Sequence, residues 1–293
     1  RLASLKPLID KISQKILLKQ FDIPATDWLP LSSMDAPVNK LPDDWKFPLM
    51  AKASIGGYDG KGTRVINDFQ EFNKFLKSVD KNIWFLEKWM SYEKEYSIVA
   101  SRDINGQIKT FPLVETKQTN QVCDWVLAPA DASHSIEVMA YNIVSTLLTK
   151  LDYFGVIAIE FFYGNDGLLV NEIAPRIHNS AHYSIEACNS SQFDQQICIS
   201  AGLEVPFPEM KVDGALMINL LGLSEGIHSS LEERLNSIRN IDGAYLHWYG
   251  KETEIPGRKL GHVTFLLNEG QSFSRRNQAF DLLKKIRSIW PIS

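Results

Sequence analysis

Two glutamates twelve positions apart frame the chemistry this chain could do. Glu160 lies in the apolar run 156–163 and Glu172 in the run 168–173, with Gly164-Asn165-Asp166-Gly167 between them. Read as a hairpin, a loop of three or five residues sets the two carboxylates directly opposite, whereas a four-residue loop offsets them by one. Facing carboxylates repel, and magnesium shared with nucleotide phosphates is the common cation between them, with Asn171 adding a neutral oxygen. The plainer alternative is two solvated glutamates on different faces.

Other chemistry-bearing residues cluster around this pair. Arg176, His178, Asn179 and Ser180 crowd a guanidinium, an imidazole, an amide and a hydroxyl into five positions, a loop able to hold a small oxyanion. The segment 56–62, G-G-Y-D-G-K-G, has four glycines in seven positions, which lets backbone N–H groups approach an anion. It is neither a Walker A loop, since Gly62 follows Lys61, nor a G-x-G-x-x-G turn, and a flexible hairpin loop is the alternative. Lys52, four residues before the loop, could aim an ammonium at the same phosphates. Glu87 ends an apolar run and could accept from a ribose hydroxyl or an adenine amine, with Lys88, Trp89 and Met90 as backbone groups and apolar wall. Lys251, Arg258 and Lys259 flank the Pro256-Gly257 turn and could grip a phosphate or stay solvated. His178 and His182 lack the H-E-x-x-H pattern and a third nearby histidine, so zinc is disfavoured.

The elements expected to position these groups are mixed. Leu5, Leu8, Ile9, Ile12, Ile16 and Leu17 recur at helical spacing with Lys11, Gln14, Lys15 and Lys19 elsewhere, which predicts an amphipathic helix ended by Ile23-Pro24. Strands are expected at 49–54 and 63–66 around the glycine loop, with Asp68 and Glu71 capping a helix. Further strands are predicted at 83–86, 95–102 and 108–114, the last two joined by an Asn105-Gly106 hairpin, with a helix at 136–151. A helix from about 185 to 201 stops at Gly202, and Pro206 and Pro208 mark a boundary. Beyond it, strands at 215–221, 244–249 and 262–267 and a helix near 275–290 read as a separate module.

Composition excludes several classes. With 293 residues, ordinary apolar content and a net charge of −4, the chain is neither disordered nor a general polyanion binder. Cys123, Cys188 and Cys198 form no C-x-x-C and leave one unpaired in any scheme, which points to a reducing, cytoplasmic setting and to buried small side chains rather than nucleophiles. No apolar stretch approaches the roughly 20 residues of a membrane span.

Taken together, Lys52 with 56–62, Glu87-Lys88-Trp89, and Asn171-Glu172-Ile173-Ala174-Pro175-Arg176 with His178-Asn179-Ser180 resemble the ATP-grasp ligases. Within them, the same glycine loop and N-E-I-A-P-R-x-H-N-S run, Ser191-Gln192-Phe193, and His247-Trp248-Tyr249 with Gly257-Arg258-Lys259 are similar to the N5-carboxyaminoimidazole ribonucleotide synthetase family over nearly the whole chain. The resemblance implies an α+β class: an ATP-grasp fold of two α+β subdomains clasping ATP, spanning 21–205 with a small lid at about 45–88, and a β-rich C-terminal module at 206–293. Residues 1–20 would be the final helix of a Rossmann-like domain otherwise missing from this chain. It implies ATP- and magnesium-dependent carboxylation of 5-aminoimidazole ribonucleotide by bicarbonate, through carboxyphosphate, in purine biosynthesis by a cytoplasmic homodimer, with no nucleic acid or membrane partner.

By this resemblance Lys11, Lys52, Gly57, Tyr58, Asp59, Gly60, Lys61, Gly62, Thr63, Gln118 and Asn171 would hold ATP. Glu87, Lys88, Trp89 and Met90 would line the adenine pocket and Glu95 the ribose. Glu160 and Glu172 would bind magnesium, Glu172 also belonging to the nucleotide site. Arg176, His178, Asn179 and Ser180 would handle bicarbonate, while Tyr58, Asp59, Arg176, His178, Lys251, Arg258 and Lys259 would face the ribonucleotide. Lys11 stands where the family has arginine, Gln118 where it has histidine, and Ala181 where it has glycine. Two alternatives stay open: another ATP-grasp carboxylate–amine ligase, and a nucleotide-binding remnant without catalysis.

Overall fold

The computed structural model describes residues 2–56, 62–223 and 229–292. In chain order the elements are α1 (Leu2–Leu5), α2 (Lys11–Gln20), β1 (Trp28–Pro30), β2 (Leu49–Ala53), β3 (Thr63–Ile66), α3 (Phe69–Ser78), β4 (Trp84–Lys88), β5 (Lys94–Arg102), β6 (Ile108–Thr110), β7 (Val114–Thr119) and β8 (Val122–Ala128). They continue with α4 (His134–Lys150), β9 (Gly155–Gly164), β10 (Gly167–Ala174), α5 (Ser184–Ala187), α6 (Gln192–Ala201), β11 (Gly214–Leu221), α7 (Leu231–Arg239), β12 (Ala244–Trp248), β13 (Lys259–Leu267) and α8 (Ser272–Ile289).

Among the described residues the strands form two sheets. A four-stranded sheet, ordered β1-β4-β2-β3, carries α3 and closes a core of Leu31, Leu49, Ala51, Ile66, Phe72, Phe75, Leu76 and Leu86. A nine-stranded sheet runs β10-β9-β5-β7-β8-β11-β13-β12, with β6 on β5. The C-terminal strands continue this sheet, because β11 pairs with β8 from Ala215↔Ala128 to Ile218↔Trp125. They also keep their own apolar cluster, in which Trp290 and Ile286 of the closing segment pack on Leu220, Val263 and Phe265. Each such fully buried large apolar side chain contributes roughly 1.5–3 kcal/mol relative to exposure. No helix among the described residues is long and apolar enough to cross a membrane.

Three expected elements differ. The first helix breaks at Ile9, and Asp10 starts a new one by accepting from the Ser13 N–H at 2.6 Å. Its face is rotated from the predicted one: Gln14 and Lys15 are buried, while Ile9 and Ile16 are exposed. The Gln14 amide explains the rotation, bonding Ile173 O at 2.8 Å and Ile173 N at 3.1 Å and so seating α2 on β10. The strand expected at 108–114 divides at Phe111-Pro112-Leu113, where proline removes a ladder donor. The helix expected at 185–201 divides as well, because Ser191 and Asp194 form a capping box that opens α6 afresh.

Candidate active site

The two sheets enclose a cavity of about 710 Å³, a size that suits a nucleotide-scale ligand. The small sheet contributes Lys52, Thr63, Glu87 and Lys88, followed by Trp89 and Met90. The large sheet contributes Glu95, Gln118, Glu160, Asn171 and Glu172, and Lys11, Arg176, His178, Asn179, Lys251 and Lys259 complete the wall.

Its acidic hairpin depends on a bulge. Gly164 pairs with Gly167, so the loop has only two residues, Asn165 and Asp166, and this even count alone would offset the glutamates by one. The register shifts between Val170 and Glu172, and this one extra residue brings Glu172 opposite Glu160. Burial first, then the Glu172 and Glu95 carboxylates, raise the Glu160 pKa to about 7 against the pull of Lys259 and Lys11. An all-oxygen pair so placed fits a hard divalent cation. No cluster of three or more His, Cys, Asp or Glu suited to a metal occurs among the described residues.

Beside the acids lies a set of ammonium groups. Lys11 Nζ is 2.9 Å from Glu172 Oε2, and Lys52 Nζ is 2.9 Å from Asn171 Oδ1. Lys52 also contacts Glu87 Oε2 at 2.5 Å, while the other oxygen of Glu87 meets Lys15 Nζ at 2.5 Å and accepts from Thr26 Oγ1 at 2.8 Å. Burial would raise the Glu87 pKa, but Lys52 and Lys15 overcome it and hold the carboxyl down at about 2. The Lys15 pKa is lowered by burial in spite of Glu87, since two ammonium groups share one carboxylate.

His178 lies largely covered beside the acids, its Nε2 3.4 Å from Glu160 Oε1. Desolvation, then Arg176, Lys259 and His182, hold its pKa down to about 3, so the ring is neutral at neutral pH. Gln192 clamps the His178 backbone, accepting from its N–H at 2.8 Å and donating to its carbonyl at 2.7 Å. The Asn179 amide is buried with neither polar atom partnered among the described residues, leaving a donor and an acceptor for a ligand.

Most of the sequence-derived residues therefore share one cavity. Gly62 sits at its edge, its carbonyl accepting from Ala53 N at 2.7 Å, and Ser180 lies one layer behind His178. Glu95 is buried, its carboxylate accepting from Gln118 N at 3.1 Å, and desolvation raises its pKa. Arg258 is not part of the cavity wall; its guanidinium bonds Thr253 Oγ1 at 3.0 Å on an exposed turn. Gly57, Tyr58, Asp59, Gly60 and Lys61 lie outside the described residues. Cys123 borders the cavity as a buried thiol pushed up to about 12, Cys188 is buried, and Cys198 is only half-buried. Sequence reasoning missed Lys15 and Thr26. Lys15 looked like part of a solvated face, and only tertiary packing shows otherwise.

The cavity between the two sheets, with lysines beside paired acids, fits the ATP-grasp class, and the ATP-grasp domain profile matches residues 16–193. The phosphoribosylaminoimidazole carboxylase C-terminal domain profile matches residues 215–276. N5-carboxyaminoimidazole ribonucleotide synthase of Synechococcus elongatus is 40% identical over 291 residues, 99% of this chain and 73% of that relative. The Aspergillus clavatus carboxyaminoimidazole ribonucleotide synthase complexed with ATP superposes with a TM-score of 0.85 at 27% identity, over 98% of this chain and 75% of that one. The same enzyme with ADP and 5-aminoimidazole ribonucleotide gives 0.83 at 26%, over 97% and 74%. The chain belongs to the N5-carboxyaminoimidazole ribonucleotide synthase family.

Proposed function

We propose that this protein is an ATP-dependent carbon–nitrogen ligase of purine biosynthesis that carboxylates 5-aminoimidazole ribonucleotide with bicarbonate, releasing ADP and phosphate. The observation that carries the reading is the Glu160–Glu172 pair lining one cavity together with Lys11, whose ammonium bonds Glu172, and Lys52, whose ammonium bonds Asn171. In the first step a bicarbonate oxygen attacks the γ-phosphorus, the bond to the bridging oxygen breaks, and ADP leaves. In the second, the exocyclic amine attacks the carboxyl carbon of carboxyphosphate, the carbon–oxygen bond to phosphate breaks, and the amine gives up a proton.

Lys52 and Lys11 stabilise the charge that develops on the phosphates, and both are already oriented by Asn171 and Glu172. Magnesium, held by Glu160 and Glu172, would neutralise further phosphate charge. Neutral His178, the Asn179 amide and Arg176 hold bicarbonate, and burial of Asn179 limits hydrolysis of the carboxyl phosphate. Glu87 to Met90 line the adenine side and Glu95 the ribose. Lys251 and Lys259 face the ribonucleotide, and by the family resemblance Tyr58 and Asp59 would join them, with the glycine loop up to Gly62 and Thr63 serving the phosphates. We read 21–205 as the ATP-grasp domain and 206–293 as the C-terminal module, in a cytoplasmic homodimer. Incubation with ATP, magnesium, carbon-13 bicarbonate and the ribonucleotide tests the reading. Label is expected on the exocyclic nitrogen, whereas turnover that needs another carboxylic acid contradicts it.

A further inference from the structure

The connection between β12 and β13, residues 249–258, carries Lys251 and leads into Lys259, and both lysines line the cavity. Strand pairing runs out at its stem, where Trp248 is paired with Gly261 and Tyr249 N donates to Leu260 O at 2.9 Å. Lys251 Nζ donates to the Lys259 carbonyl, which ties the ammonium to the opposite side of the stem.

Residues outside the cavity wall anchor the rest of the connection. Gly222, just past β11, accepts from Gly257 N at 2.9 Å and donates to Arg258 O at 2.7 Å. A Cβ at Gly222 would lie 2.0 Å from Ile255 O, so only glycine allows this approach. Arg234 on α7 supplies a second anchor, its Nη2 2.9 Å from Glu254 Oε2 and its guanidinium 4.4 Å from the centre of the Trp290 ring. Trp290 is fully buried and its indole N–H donates to Leu221 O at 2.7 Å, next to Gly222. Both anchors therefore hang on one column, Leu221–Trp290–Arg234–Glu254. Arg234 is itself buried, and a sunken guanidinium is costly unless a carboxylate answers it. Among the described residues Glu254 is the one carboxylate within ion-pair distance of it.

We infer that Arg234 is a positioning residue that acts through Glu254 to fix the 249–258 connection and so hold the Lys251 ammonium toward the phosphate of the ribonucleotide. That the anion is this phosphate rests on the carboxylation reading; the anchoring of the connection does not. Arg234 and Glu254 are remote from the adenine side, Glu87 to Met90, which the small sheet and the residues after it supply. Their loss should therefore be felt by the ribonucleotide and not by ATP. Removing a hydrogen bond between charged groups corresponds to about tenfold in such an equilibrium.

The test pairs titration calorimetry with amide hydrogen exchange on the ligand-free protein. The probes are ATP, 5-aminoimidazole ribonucleotide and the corresponding ribonucleoside, which lacks the phosphate. Arg234→Met and Glu254→Ala are each expected to weaken ribonucleotide binding about tenfold while the affinities for ATP and ribonucleoside stay unchanged, and the double variant is expected to be no weaker than either single one. Exchange over 250–258 should quicken about tenfold in Glu254→Ala and stay unchanged over α8. Unchanged exchange over 250–258 in both variants overturns the inference, and so do equal losses for ribonucleotide and ribonucleoside, or losses that add in the double variant. Should Arg234→Met fail to fold, Glu254→Ala still decides both arms. A wild type that binds ribonucleotide and ribonucleoside alike contradicts the ribonucleotide reading, and the exchange arm then decides the anchoring by itself.

Discussion

Glu87→Gln isolates the buried charge cluster that ties α2 to the small sheet. Glutamine keeps the shape but removes the charge that Lys15 and Lys52 approach at 2.5 Å each, leaving two ammonium groups of 4% and 12% side-chain exposure around an amide. The Glu87 carboxyl falls from the ordinary 4.5 to about 2 in the folded protein. At 1.36 kcal/mol per unit this corresponds to about 3 kcal/mol of stability at pH 7, in the range found when one partner of a buried pair is removed. A folded pKa below the unfolded one means the stabilisation is present above about pH 4.5 and is lost as pH falls toward 2. Denaturant unfolding of the ligand-free protein should therefore show the glutamine variant about 3 kcal/mol weaker at pH 7, with the gap narrowing below pH 4.5. Lys15→Met should cost under about 1.5 kcal/mol, because burial already opposes that ammonium and Lys52 still neutralises Glu87. The reasoning is refuted if the methionine variant is the weaker of the two, or if the Glu87→Gln gap does not depend on pH.

The same arithmetic runs in reverse at Glu160, whose pKa is raised to about 7, so ionising it weakens the folded state as pH climbs from about 4.5 through 7. Roughly a quarter of its side chain is open to solvent, which screens part of the effect; Glu160→Gln should stabilise the ligand-free protein by about 2 kcal/mol at pH 8 while abolishing turnover. Gln192→Ala removes both hydrogen bonds on the His178 backbone, and a fall in kcat of about tenfold with unchanged ATP binding is expected by stopped-flow and titration calorimetry. Equal losses in ATP affinity and kcat would mean the clamp acts on the whole site.

Local signals in the sequence accounted for much of this architecture. The glycine-flanked strands β2 and β3, the Asp68 cap, the acidic hairpin and the three C-terminal strands all follow from periodicity and turn residues. What escaped is non-local. The bulge at Asn171 corrects a loop-parity offset that composition cannot reveal, and it is this bulge that makes the glutamates face each other. Lys15 and Gln14 look solvated by spacing, yet Ile173 and Glu87, distant in sequence, supply partners that justify burying them. The helix α7 was missed although Ser230 and Glu233 form a capping box legible in the sequence. Site chemistry was more readable than site geometry, since residue types at close spacing name the ligands while the fold decides which of them meet. Arg258 shows the difference, standing near Lys259 in sequence but outside the cavity wall.

The most direct test of the account is ADP release from ATP and magnesium, with and without bicarbonate and 5-aminoimidazole ribonucleotide, for the wild type and Glu172→Ala. The account predicts release that the ribonucleotide stimulates, that requires bicarbonate, and that the Glu172→Ala variant loses. Release indifferent to the ribonucleotide, or undiminished without the Glu172 carboxylate, would contradict it.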